Sequence, residues 1–217
     1  VISLVKRGLL LLALIGAVGA AVACEDGGGE PTPEASPTVL AAVQVPYPLT
    51  IVDTVGREVT IEAQPQRIAS LSAAATEVLF AIGAGDDVVG VTFECDAPAE
   101  ARTRPIVSSS TLAEGLSPRE IDDAVSAAVA SGEDLYRLDA GALSGLDADL
   151  VVTQDLCAVC AVDVSAVGEA LEHLGCDAEV LTIDPHTLDE VFTSIITLGR
   201  ATGRDVEADA LVASLED

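Results

Sequence analysis

Cys157 and Cys160 flank Ala158 and Val159 in the stretch VVTQDLCAVCAV, Val151 to Val162. That spacing serves three chemistries: a redox dithiol, half of a metal site, or a plain disulfide. Redox dithiols depend on a thiol whose pKa is lowered by a helix N-terminus or a cationic neighbour. Here Asp155 and Asp163 flank the pair, and negative charge raises a thiol pKa. A thiol oxidoreductase is therefore the weaker reading. Metal binding is a second option, because Cys95, Cys157, Cys160 and His186 are soft ligands of the kind that suit zinc or another transition metal. The third is a disulfide, which any thiol pair outside the cytoplasm favours. Four cysteines beyond Cys24 allow three pairings. A bond from Cys95 to Cys157 or Cys160 would staple neighbouring strand ends, and Cys176 reads as a lone buried thiol.

Other chemistry is thin. Lys6 is the sole lysine and lies in the N-terminal segment, so the rest of the chain has no amine for a Schiff base and no P-loop lysine. Ser70, Ser72 and Ser108 to Ser110 lack a G-x-S-x-G elbow, and neither histidine has a pairing motif. Ser72 reads as a helix cap, and Ser108 to Ser110 as hydroxyls for a ligand's amide groups. Five aromatics occur in the chain. Phe93 and Tyr136 could stack on a planar ligand, whereas Phe80 and Phe192 read as core. His173 reads as a surface helix residue. This inventory describes a binder with no catalytic residues and no catalytic cofactor, not an enzyme.

The elements that carry these residues alternate between strand and helix. TIVD and REVTIE flank turn residues Thr54 to Gly56 and predict a hairpin. RIASL, DVVGVT, PIVS, DLVVTQ and AEVLTI predict strands. Between the first two of these, Ala75, Leu79 and Ile82 share one face of a helix stopped by Gly83. Ser117-Pro118-Arg119-Glu120 has the form of a capping box and opens a helix that ends at Gly132. A short helix reaches Leu146, another spans Asp163 to Leu174, and Thr187 to Asp217 reads as helix with a break near Gly203. The pattern is α/β with a mostly parallel sheet flanked by helices. Ligands of such sheets sit beyond the carboxyl ends of the strands. Those ends are Ser72 to Ala74, Thr92 to Asp96, Ser108 to Thr111, Gln154 to Cys160 and Asp184 to His186.

Charge and the N-terminus set the compartment. Thirty-six acids against ten bases leave a net charge of −26, which repels nucleic acid and anionic lipid. Asp86-Asp87 and Asp122-Asp123 read as solvated faces. Lys6-Arg7 precede an apolar run from Gly8 to Ala23, shorter than the ~20 residues a membrane span needs. AVAC, Ala21 to Cys24, resembles a bacterial lipobox with Cys24 as the lipidation site, although Ala21 stands where Leu is usual. Residues 1–24 thus read as a signal peptide with a lipobox-like end, the alternatives being an ordinary secretory signal cleaved nearby or an uncleaved anchor. Residues 25–48, rich in Pro, Gly and acids, form a flexible spacer. The expected setting is the cell envelope, with the protein lipid-anchored to the outer face of the cytoplasmic membrane or periplasmic.

Ile51 to Thr92, with GREVTI, the P-x-RI-x-SL-x-x-x-x-TE stretch and GAGDDVVGVT in order, resembles the cobalamin and iron-siderophore substrate-binding proteins of ABC importers, the helical-backbone metal-receptor type. ECDAP, DADLVVTQDLC and the C-terminal TLDEVFTSIITLGRATGRDVEADALVASL extend the likeness from Leu49 to Asp217. CD-x-P and TQ-x-LC-x-VCAV are most similar to the cobalamin-binding branch. The resemblance implies two α/β lobes joined by a long stiff helix, with the ligand between them. It makes residues 49–186 the first lobe and 187–217 the joining helix, with most of the second lobe absent. It also implies a monomer that captures cobalamin or another corrinoid as cargo and delivers it to a membrane permease. Ferric-siderophore or haem binding is the alternative on the same fold. The few arginines, Arg102, Arg104 and Arg137, favour a nearly neutral corrinoid over an anionic siderophore.

On this reading the ligand-facing residues are Ser72, Phe93, Cys95, Asp96, Ser108, Ser109, Tyr136, Gln154, Asp155, Cys157 and His186. Glu114 or Glu120 would dock to permease arginines, because Gly141 and Ala142 occupy the place where such a glutamate is expected. Ala97 stands where relatives carry an aromatic, and the segment from Glu120 to Asp139 is longer than in well-known cobalamin binders.

Overall fold

The computed structural model describes residues 46–133, 135–154, 167–168 and 177–216. Two strands, β1 (Leu49–Val52) and β2 (Glu58–Ile61), pair antiparallel as the expected hairpin. Gly56 takes a left-handed φ of 81° at the turn, a conformation open to glycine at no steric cost. The turn is clasped from within. The Asp53 carboxylate, fully buried, accepts from the backbone N–H of Arg57 at 2.7 Å and from the Arg57 guanidinium at 2.8 Å. Arg57 in turn donates to Thr182 Oγ1 at 2.7 Å, which ties the hairpin to the central sheet.

That sheet holds β3 (Ile68–Ser70), β4 (Val88–Val91), β7 (Leu150–Thr153) and β8 (Glu179–Thr182) in the order β4-β3-β7-β8, all parallel. All residues of β3 and β7 are buried. Continuous apolar runs are what a parallel sheet covered on both faces requires. The strand period of two divides their side chains between two cores. Ile68, Leu150 and Val152 face one, with Leu79, Ile195 and Leu198. Ala69, Leu71 and Val151 face the other, with Val107, Leu143 and Leu146.

Helix α1 (Ala73–Ala81) covers the first face. Ser72 caps it by accepting from Ala75 N–H, and Leu79 and Ile82 are fully buried, on the face expected. Helix α2 (Pro118–Ser131) begins at the expected capping box and ends at left-handed Gly132. Helix α3 (Ala140–Ser144) is a short turn capped by Asp139. Thr187 forms a second capping box, with Glu190, and opens α4 (Leu188–Thr202).

Two expectations change. PIVS does not become a strand of the central sheet throughout. Residues 105–107 run beside β4, with Val91 N–H donating to Pro105 O at 2.9 Å and Val107 N–H to Val91 O at 3.0 Å. The chain then leaves to form β5 (Ser108–Ser110), which pairs antiparallel with β6 (Tyr136–Leu138). Nor is the C-terminal stretch one stiff rod. Gly203, with φ of 67°, stops α4, and α5 (Asp205–Glu216) packs against it. A Cβ on Gly199 would come within 2.4 Å of the Ala208 Cβ. Glycine there lets the two helices approach closely.

Candidate functional site

Because β3, β4, β7 and β8 run in parallel, their carboxyl ends share one edge. Ser72, Phe93, Gln154 and Asp184 each follow one of these strands there. Thr92 and Ser108 join the edge to the β5–β6 pair through hydroxyls 2.6 Å apart, and Phe93 N–H donates to Ser108 Oγ at 3.3 Å. Ser108 is therefore buried and engaged, and Ser109 is exposed.

Phe93 and Tyr136 lie against each other. Their ring centroids lie 5.5 Å apart with a 38° tilt, and Phe93 is 36% exposed. The Tyr136 hydroxyl donates to Glu94 Oε2 at 2.5 Å. Sequence places Glu94 on the strand end Thr92 to Asp96 without giving it a partner. Only the pairing of β5 with β6 brings Tyr136 to it, and no local motif announces that. Asp96 is exposed and forms an ion pair with exposed Arg102 at 3.1 Å, an arrangement that contributes little to stability.

Cys95 faces the other way. Its N–H donates to Thr92 O at 3.1 Å, and this turn sends Sγ inward to 3.0 Å from Thr76 Oγ1. It is a free thiol, 5% exposed, packed in the core with α1. Burial pushes its pKa up, partly offset by the hydrogen bond with Thr76. So placed, the Cys95 side chain faces the core and not the ligand edge. Among the described residues no three of His, Cys, Asp and Glu converge as a metal site. Cys24, Asp155, Cys157, Cys160, His173 and Cys176 lie outside the described residues, as does the expected helix Asp163–Leu174 save Val167 and Gly168.

At the far side of the edge, His186 is exposed, with Nε2 at 3.1 Å from Asp184 Oδ2, and its N–H donates to Glu190 at 2.7 Å. That N–H is the leading cause of a lowered Glu190 pKa. Ser72 Oγ donates to Gln154 Oε1 at 3.1 Å and so links β3 to β7. Beside this pair a cavity of about 90 Å³ lies between α1 and α4. Its walls come from sequence-distant segments, so sequence patterns do not announce it. Glu120 is exposed and holds Ser117 N–H at 2.8 Å, and the bond from the Ser117 side chain is the main cause of its lowered pKa. Glu114 is exposed. Arg104 lies away from the edge. It donates to Gly85 O at 2.8 Å, ahead of β4, and stands over the Phe80 ring.

A parallel sheet flanked by helices, with exposed aromatic and polar groups at its strand ends, makes an α/β lobe, and ligands of such sheets sit beyond the carboxyl ends of the strands. No protein-family profile matches the chain. It is 29% identical over 172 residues to YvrC of Bacillus subtilis, an uncharacterized ABC transporter substrate-binding lipoprotein, across 78% of this chain and 45% of that protein. The fold matches crystal structures of the haem-binding protein HmuT (TM-score 0.54, 16% identity, 76% of this chain and 44% of that one) and of the periplasmic vitamin B12-binding protein BtuF of Vibrio cholerae (0.51, 19%, 70% and 48%). The chain is thus related to a substrate-binding lipoprotein of ABC transport and has the fold of periplasmic binding proteins. It spans a little under half the length of these relatives.

Proposed function

We propose that this chain supplies one lobe of an extracytoplasmic receptor that captures a corrinoid, cobalamin foremost, and delivers it to an ABC permease. The observation that carries this reading is the Phe93–Tyr136 pair at the strand edge. It offers aromatic ring surface to a macrocycle, and Phe93 is accessible to it. Such rings bind through buried area and stacking, so capture needs no reaction. Charge favours a corrinoid over haem or a ferric siderophore. Glu94 stands against the aromatic pair through the Tyr136 hydroxyl, while Asp96 and Arg102 neutralise each other. Haem propionates and anionic siderophores would meet repulsion there. Lipidation at Cys24 would hold the receptor at the membrane surface, and exposed Glu114 is the better placed carboxylate for a permease arginine, because Glu120 is engaged by Ser117.

Equilibrium titrations with cyanocobalamin, haemin and a ferric tris-catecholate test this ranking. Cyanocobalamin should bind tightest, and Phe93→Ala should weaken it by about tenfold through lost stacking and apolar contact. Preference for haemin, or indifference to Phe93→Ala, would overturn the corrinoid reading.

A further inference from the structure

We infer that the cavity between α1 and α4 is a socket for one carboxamide-bearing side arm of the ligand, and that Gln154 donates a hydrogen bond to that arm's carbonyl oxygen. The inference rests on the corrinoid reading above. At about 90 Å³ the cavity is far too small for a macrocycle. Liquid water occupies ~30 Å³ per molecule, so the space suits a short aliphatic arm ending in a small polar group. Its lining is divided to match. Ala75, Val78, Ile183 and Leu198 provide aliphatic walls, while Ser72 and Gln154 provide the polar part. Exposed Ala74 and half-buried Pro185 also line it, which opens the cavity at the strand edge.

Proton bookkeeping orients Gln154. Ser72 Oγ accepts from Ala75 N–H as the cap of α1, and its single proton goes to Gln154 Oε1 at 3.1 Å. With Oε1 turned to Ser72, the Nε2 end is the donor that the amide offers a ligand. Ser194, also on the lining, gives its proton to Val191 O at 2.7 Å and does not compete. A neutral amide carbonyl is the complement of that donor. Its methylenes would take the place of water against the aliphatic walls, which are poor at holding solvent. Corrinoids carry several such arms around the ring, and haem carries carboxylates instead.

The test is a thermodynamic cycle on the intact protein with cyanocobalamin. Gln154→Ala removes the donor, and Ala74→Leu fills the mouth from an exposed position of α1. Each should raise Kd by roughly tenfold, the scale of one hydrogen bond with its buried contacts; the melting temperature should be unchanged for Ala74→Leu and lowered in Gln154→Ala only by the lost Ser72 bond. Because both disable the same arm, the double substitution should cost little more than either alone. Additive losses, or binding within about twofold of the unsubstituted protein, would overturn the socket. If the unsubstituted protein fails to bind cyanocobalamin, the corrinoid reading falls together with the socket, whereas intact binding by the variants removes the socket alone.

Discussion

The central sheet and the excursion from Ser108 to Leu138 carry similar apolar patterns and treat them differently. In the sheet every residue of β7 is buried, and helices α1 and α4 close over one face. In the excursion α2 has Ile121, Val125 and Val129 at helical spacing, yet only Ala128 is buried. Ile121 is 41% exposed and Val129 60%. The sheet is held by apolar burial, and α2 by its own ends: Ser117 and Glu120 at the start, left-handed Gly132 at the finish. A helix can thus be specified locally without being anchored by the core.

This contrast yields a graded series of stability changes, read by urea unfolding. Leu79→Ala, in the core under α1, should cost about 3 kcal/mol through lost burial and a residual cavity. Asp53→Ala should cost about 2 kcal/mol, because it strips the acceptor from the Val55 and Arg57 N–H groups and from the Arg57 guanidinium and unclasps the hairpin. Ser117→Ala should cost about 1 kcal/mol or less and act on α2 alone, which amide exchange of that helix would show. Protection of these amides, relative to their intrinsic exchange at each pH, should fall in acid. Glu120 has a lowered pKa, so its capping contribution is present above the ordinary Glu value of about 4.3 and is lost as pH falls through its own lower value. Smallest of all, Val129→Ser should change stability by less than about 0.5 kcal/mol. A core-sized loss at Val129 would dissolve the distinction between the two regions.

Much of the architecture was legible in the chain order of apolar runs and stop signals. The hairpin, the strands RIASL, DVVGVT, DLVVTQ and AEVLTI, the caps at Ser72 and Ser117 and the break at Gly203 all follow from neighbours within a few residues. The candidate site was legible in part. Phe93 and Tyr136 stand out by scarcity, and the parallel pattern places their neighbourhood at a strand edge. Glu94 did not stand out, because its partner Tyr136 arrives from a distant strand. Cys95 was misplaced for a related reason. A strand-end position says which edge a residue is near, but the turn at Thr92 decides which way its side chain faces.

The sequence by itself determined the local elements of this protein, because helix caps, turn glycines and strand periodicity act over one or two turns of chain. Tertiary structure alone decided three further matters. Residues 105–107 flank β4 while β5 turns away to pair with β6. Cys95 enters the core to meet Thr76. Ser72, Gln154 and α4 converge on one small cavity. Each of these depends on contacts between residues distant in sequence, whose register is set by packing the whole sheet at once.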